Sequence, residues 1–237
     1  MKILAVESSA KTVSSAVLVD GEIVCELFEN NGLTHSVTLL PQIKDVLLQS
    51  GFSVNDIDVF AVNSGPGSFT GLRIGAATVK GLAANGAGTF GVSTLEAMAY
   101  CHRDFKGVIC ALMDARCSQV YNALFSFEDG KIKRLCEDRA LMIDELLCEL
   151  KEIDKPILLV GDGAALVKKT IDEKFPEAAN IILAEGESVY QKASGVCLCA
   201  YEKIMSGEKP VNSYELNLEY LRLPQAEREL KKKEKKL

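Results

Sequence analysis

Apolar positions in the first thirty residues fall into three short β-rich runs, 3–7, 13–19 and 22–29. Asp20-Gly21 separates the last two, a pair suited to the positive φ angles of a two-residue hairpin. After residue 33 the period changes to that of a helix. Residues 34–49 carry Val37, Leu40, Ile43, Val46 and Leu47 at helical spacing and stop at Gly51. A strand at 59–62, a helix at 70–84, a strand at 89–92 and a helix at 94–100 complete the order βββαβαβα. From Val108 the order repeats: strands at 108–113, 120–127 and 131–135, a helix at 143–150, a strand at 157–160, a helix at 164–175, a strand at 181–183 and a helix at 190–206. The repetition lies in element order, not in residue identity. It predicts an α/β chain of two lobes facing a cleft, an N-terminal lobe over 1–105 and a C-terminal lobe over 106–224, with a basic flexible tail at 225–237. After Pro210 the pattern becomes irregular, and Tyr220-Leu221-Arg222 with Pro224 reads as a final strap.

Between the strand at 59–62 and the helix at 70–84 lies SGPGSFTGLRIG, Ser64 to Gly75. Its glycines permit positive φ and close backbone approach, and the following helix start presents unpaired N–H groups, so the segment can cradle an anion or another backbone. It is not a P-loop, because no Gly-Lys-Ser/Thr follows. Gly75 and Gly81 inside the helix each cost about 0.5–1 kcal/mol relative to alanine, which close packing should offset. Gly71, Gly75, Ala76, Ala83 and Ala84 leave one side nearly free of bulk, suited to packing on the sheet or on another chain.

With 237 residues, 48% hydrophobic content and 25% charge, the chain has ordinary globular composition. The net charge of −6 conceals an asymmetry: residues 225–237 hold six basic and three acidic side chains, which leaves −9 on the remainder. Such a body should not bind nucleic acid tightly unaided, and the lysine run 231–236 reads first as a solvated terminus. The eight cysteines, at 25, 101, 110, 117, 136, 148, 197 and 199, include no Cys-x-x-Cys pair, so reduced thiols in a cytoplasmic protein are expected. The apolar run at 3–6 is short for a signal peptide, and no 18-residue apolar stretch occurs, so no membrane association is expected.

SGPGSFTGLRIG, the opening MKILAVESSAKTVSSAVLVDG, Asp114-Ala115-Arg116 with Val120-Tyr121, and Tyr220-Leu221-Arg222 together resemble the bacterial TsaB (YeaZ) family. The likeness runs from residue 1 to about 224. It implies the actin-like ATPase (ASKHA) fold, with two ribonuclease-H-like lobes, in agreement with the doubled element order. It also implies a non-catalytic scaffold in the complex that places threonylcarbamoyl on N6 of adenosine 37 in tRNAs reading codons that begin with A. The implied partners are the catalytic paralog TsaD, the ATPase TsaE and a second copy of the chain when alone, with tRNA met only through the complex. Family members associate through N-terminal-lobe helices, which makes 34–49 and 70–84 the expected interface, with His35, Leu39, Ser68, Phe69, Gly71, Arg73 and Gly75 as its residues.

The catalytic paralog is characterised by His-x-x-x-His at a helix start, a spacing that puts two imidazoles on one face. Thr94 and Met98 stand at the corresponding positions here, and the two histidines, His35 and His102, are 67 residues apart. No metal site and no catalytic residue are therefore expected, with Glu96 a carboxylate lacking companions. Proteins of the actin class bind phosphates between two hairpins, whose counterparts would be Glu7-Ser8-Ser9 and Asp114-Ala115-Arg116. Gly161-Asp162-Gly163 resembles an adenosine-binding turn but equally a helix cap. The first hairpin lacks the Asp-Gly that organises Mg²⁺ and phosphate, so the structural reading is favoured, with no intrinsic cofactor and weak ATP or ADP binding left open, in the complex above all. The competing classes are an ATP-dependent phosphotransferase using Glu7 and Asp114 and, last, a peptidase.

Overall fold

Alternation along β1 (Lys2–Glu7) sends Leu4 and Val6 to one face of a sheet and Ile3 and Ala5 to the other, and both sets are fully buried. This two-sided burial organises the whole protein. The computed structural model describes residues 1–32 and 34–222; Pro224 and the expected tail at 225–237 lie outside the described residues. β2 (Val13–Val19), β3 (Glu22–Glu29), α1 (His35–Ser50), β4 (Val59–Gly65), α2 (Phe69–Leu82), β5 (Gly88–Ser93) and α3 (Thr94–Tyr100) follow β1. The second series is β6 (Val108–Asp114), β7 (Gln119–Glu128), β8 (Lys131–Arg134), β9 (Arg139–Met142), α4 (Ile143–Lys151), β10 (Ile157–Val160), α5 (Ala164–Lys174), β11 (Ile181–Leu183) and α6 (Ala193–Met205).

The two sheets have the same topology, β3-β2-β1-β4-β5 and β8-β7-β6-β10-β11. Asp20-Gly21 makes its hairpin with φ of 49° and 93°, and Asp129-Gly130 makes the equivalent one between β7 and β8 with 51° and 75°. The repeat is therefore visible in residue identity at one point, contrary to the sequence reading. β9, an unforeseen four-residue strand, pairs with β7. The expected helix at 190–206 begins only at Ala193, because 186–189 form a separate 3-10 turn.

Each sheet is covered on both faces. Leu4, Val6, Phe60 and Val62 meet Leu39, Ile43, Val46 and Leu47 of α1 and Val79 of α2; in the second sheet Val108, Cys110 and Leu112 meet Leu146 and Leu150 of α4 and Val167 and Ile171 of α5. The inner faces are covered by exchange. α6, last in the chain, packs Ala193, Val196, Cys197 and Ala200 on Ile3, Ala5, Ala16 and Leu18 of the first sheet. α3 packs Leu95, Met98 and Ala99 on Ile109, Ala111 and Met113 of the second. The two helices also pack on each other. A cut near residue 105 thus divides the sheets but not the core.

Candidate functional site

The first strand of each sheet ends in a carboxylate, Glu7 on β1 and Asp114 on β6. At the end of β1, Glu7 Oε1 accepts the Ser9 N–H at 2.6 Å and the Ser9 hydroxyl at 2.5 Å; Glu7, Ser8 and Ser9 are all buried. The glycine motif closes over this turn. Gly71 approaches Ser8 so closely that a Cβ there would stand 2.0 Å from the Ser8 carbonyl oxygen, and one at Gly67 would stand 2.7 Å from that of Ser9. Ser68 N–H donates to the Ser9 carbonyl at 2.7 Å, the Ser8 hydroxyl donates to the Gly71 carbonyl at 2.9 Å, and His35 Nε2 lies 2.7 Å from the Ala10 carbonyl. Ser68 also caps α2, its hydroxyl accepting the Gly71 N–H. Gly75 receives the Ser8 hydroxyl and Val62 in the same way.

The second lobe repeats the arrangement. Asp114 Oδ1 accepts the Arg116 N–H at 2.7 Å, and Gly161 and Gly163 lie against the backbone of Leu112, Met113 and Asp114, where a Cβ on Gly161 would stand 2.0 Å from the Leu112 carbonyl oxygen. The glycines of Gly161-Asp162-Gly163 thus serve close packing of a strand–helix turn on β6. Between the lobes, burial pushes the Glu7 carboxyl up to about 7; the Ser9 bonds oppose this and the nearby Asp162 adds to it. Asp162 is raised too, chiefly by burial, against the stabilising hydrogen bond from Gln191 Nε2 at 2.9 Å. Glu7 Oε2, both amide atoms of Asn63 and Gln191 Oε1 are buried without a hydrogen-bond partner.

This geometry fits a nucleotide poorly. The N–H groups of Ser9 and Arg116, which a phosphate would need, already end on carboxylates, and the space beside the glycines is filled by backbone. Among the described residues no group of three or more His, Cys, Asp or Glu could hold a metal ion. Thr94 and Met98 are core residues. Glu96 is held by cations: its Oε2 meets Arg134 at 2.7 Å and its Oε1 meets Lys203 at 3.2 Å, an ion network that ties α3 to β8 and α6. His102 Nε2 lies 2.9 Å from the Ser188 carbonyl, and burial lowers its pKa. All eight cysteines are free thiols; Cys197 Sγ turns towards Ile3 and Ala16 while Cys199 Sγ turns towards Glu96, as expected of residues two apart on a helix.

The expected interface residues divide into an inner and an outer set. Leu39 is a core residue and Gly71 and Gly75 face β1, so these three offer no surface, and His35 is half-buried against Ala10. Phe69 is held within the chain, stacked on Tyr220 at 4.6 Å and 13°, with Arg73 Nε donating to the Tyr220 hydroxyl at 3.2 Å. Ser68 and Arg73 remain exposed. The outward face of α1 is carried by Val37, Leu40 and Leu48, exposed by 65%, 56% and 75%, and that of α2 by Arg73, Ala77 and Gly81. Val37 and Leu40 had the spacing of core positions, but the buried stripe is 38, 39, 42, 43, 46 and 47. Two apolar stripes on one helix were the available signal. The strap spans both lobes, with Glu219 N–H donating to the Ser64 carbonyl and Arg222 donating to the Ala115 carbonyl at 3.0 Å.

Residues 29–230 match the family model described as TsaD, tRNA N6-adenosine threonylcarbamoyltransferase. A tRNA threonylcarbamoyladenosine biosynthesis protein TsaB of Bacillus subtilis (strain 168) is 33% identical over 174 residues, 73% of this chain and 76% of that protein. The protein of the same name from Escherichia coli (strain K12) is 30% identical over 215 residues, covering 88% and 89%. Among solved structures, a Pseudomonas aeruginosa protein with similarity to peptidase YEAZ superposes with a TM-score of 0.79 at 24% identity, over 93% of this chain and 99% of that one. That likeness concerns the fold, the two-lobed actin-like arrangement of α/β layers.

Proposed function

The chain belongs to the TsaB family, and from that premise we propose that it is a non-catalytic scaffold and activator in the formation of N6-threonylcarbamoyladenosine at position 37 of tRNAs that read codons beginning with A. It binds the catalytic paralog TsaD through the outer faces of α1 and α2, works alongside the ATPase TsaE, and meets tRNA through the assembled complex. The observation that carries this reading is the exposed apolar stripe of Val37, Leu40 and Leu48 beside Ala77 and Gly81, a surface that burial against another helix would stabilise. The same face is free to pair two copies of the chain in the absence of TsaD. To activate its partner, the chain must bind one conformation of TsaD more tightly than another.

The competing phosphotransferase reading needs donors that the two hairpin turns have already committed to Glu7 and Asp114. ATP or ADP binding is accordingly assigned to the assembled complex. The test is reconstitution of tRNA modification with TsaD and TsaE, with and without this chain, and association measured in parallel. Stimulation by the chain and none by the chain alone is expected. Leu40→Asp should weaken association on the order of 100-fold, as expected for burying a charge in an interface core. ATP turnover by the isolated chain, lost in Asp114→Ala, would overturn the reading in favour of the phosphotransferase.

A further inference from the structure

A groove of about 450 Å³ runs between α2 and the strap. Arg73, Ala76, Ala77 and Lys80 fall at i, i+3, i+4 and i+7, so they form one wall from a single helix face; Leu216, Asn217, Leu218 and Tyr220 form the other. Alanine and leucine side chains make its middle apolar and a cation stands towards each end of the helical wall. Arg73 donates Nε to the Tyr220 hydroxyl and its guanidinium lies 5.8 Å from the centre of that ring, but among the described residues its two terminal nitrogens have no hydrogen-bond partner. Lys80 has no ion pair among the described residues, in a chain with 33 acidic side chains against 27 basic ones. Two cations on one helix face have thus been left without acids in a protein that has acids in excess.

We propose that this groove receives an extended acidic segment of a partner protein, with two carboxylates three residues apart. The spacing follows from the two backbones. Seven helical residues at about 1.5 Å each place the Arg73 and Lys80 positions about 10.5 Å apart, and three residues of extended chain in the polyproline II form cover about 9 Å and return the side chain to the same face. Residues 216–220 belong to no helix or strand, so the second wall runs alongside an extended occupant without a sheet to interrupt it. A compact anion would engage one cation and leave the apolar middle uncovered, whereas a peptide lays its central residues across that middle. Arg73 suits the first carboxylate because the two terminal nitrogens of its planar fork can donate to both oxygens. The inference rests on α2 as a docking element, and it names the chemistry of what docks there.

The test uses the full chain labelled with ¹⁵N and titrated with the peptide Ac-Glu-Leu-Ala-Glu-NH₂, followed by amide chemical shifts. Its Gln counterpart Ac-Gln-Leu-Ala-Gln-NH₂, inorganic pyrophosphate and ATP form separate arms. Saturable shifts confined to residues 73–80 and 216–220 are expected with the acidic peptide. Binding should fall at least about fivefold in Arg73→Ala and in Lys80→Ala, each shown to be folded by its spectrum, and should be absent with the Gln peptide. The proposal is overturned by an acidic peptide that gives no saturable shift at about 10 mM. It is equally overturned by Gln-peptide binding of equal strength, by variants that bind like the parent, or by pyrophosphate or ATP binding more tightly than the peptide. No partner protein enters this experiment, so its failure is distinct from failure of the reconstitution.

Discussion

At the end of the first strand of the first lobe, Glu7 accepts the N–H of Ser9 two residues on and is fully buried. At the matching place in the second lobe, Asp114 accepts the N–H of Arg116 but stays exposed. Both strand ends are met by a glycine-bearing strand–helix turn, Gly67 and Gly71 in one lobe and Gly161 and Gly163 in the other. The difference lies in what covers them. In the first lobe the N-terminal ends of both outer helices lie on the turn: α2 through Ser68 and Gly71, α1 through His35 at Ala10. In the second lobe α4 touches the turn through a single backbone bond, Ile143 N–H to the Ser118 carbonyl at 3.0 Å, and the strap reaches it through Arg222 at Ala115. One topology therefore yields a clamped, buried turn at Glu7-Ser8-Ser9 and a more loosely held turn whose Asp114, Arg116, Cys117 and Ser118 are exposed.

The sharpest way to break the comparison is steric. Gly71→Ala should cost at least about 3 kcal/mol in urea unfolding, because the new methyl overlaps a backbone carbonyl that two outer helices hold in place. Gly161→Ala should cost a similar amount, since the same 2.0 Å approach is combined there with a φ of 100°. If Gly71→Ala proved neutral, the clamp would not exist as described.

The second test concerns the buried carboxyl. With its folded pKa raised from 4.5 to about 7, Glu7 keeps a proton that the unfolded chain has already released, so stability contributed by its neutral form is complete at low pH and is lost as pH rises from about 4.5 to about 7. The loss amounts to about 3 kcal/mol, taking about 1.4 kcal/mol for each unit of difference. Glu7→Gln should flatten that slope in unfolding measured between pH 4.5 and 7.5. A parent and a variant with the same slope would show that Glu7 is not the group responsible. Asp114→Asn, at the exposed turn, should change stability by no more than about 1 kcal/mol, the worth of one solvent-exposed hydrogen bond.

The smallest effect has the opposite sign. Gly81 lies in the same helix as Gly71, but nothing stands within 4 Å of where its Cβ would be. Gly81→Ala should therefore stabilise the isolated chain by about 0.5–1 kcal/mol. If Gly81 lies at a docking surface, the same substitution should also weaken association with TsaD in the reconstituted assay, a pairing of gain and loss that neither internal packing nor an idle surface predicts.

Much of the fold was legible because periodicity is local. The strands at 13–19, 22–29, 157–160 and 181–183 and the helix at 94–100 have the bounds read from the sequence, and the repeated order gave the two sheets. β9 was not legible: Arg139–Met142 is short and carries no turn signal, and it is a strand because β7 is there to pair with. The site was only half legible. The sequence singled out Glu7, Ser8, Ser9, Gly71, Gly75, Asp114 and Gly161, and in the structure they lie about the ends of β1 and β6. It could not tell that Gly71 and Gly75 of α2 face Ser8 and Val62, nor that Leu39 is core while Val37 and Leu40 are surface, because a helix with apolar residues on two faces has no unique inward direction until a sheet is placed beside it.

The sequence by itself determined which elements form, that they come in two copies of one order, and that close backbone approach was needed after β4, because hydrophobic period, Asp-Gly turns and glycine spacing act over a few residues. Only the tertiary structure decided that α6 covers the first sheet and α3 the second, that Glu96 meets Arg134 and Lys203, and that Glu7 loses its water. Those outcomes depend on contacts between residues up to nearly two hundred positions apart, such as Ala193 N–H on the Ser14 hydroxyl. Burial and charge pairing are properties of such neighbours, and no window of sequence contains them.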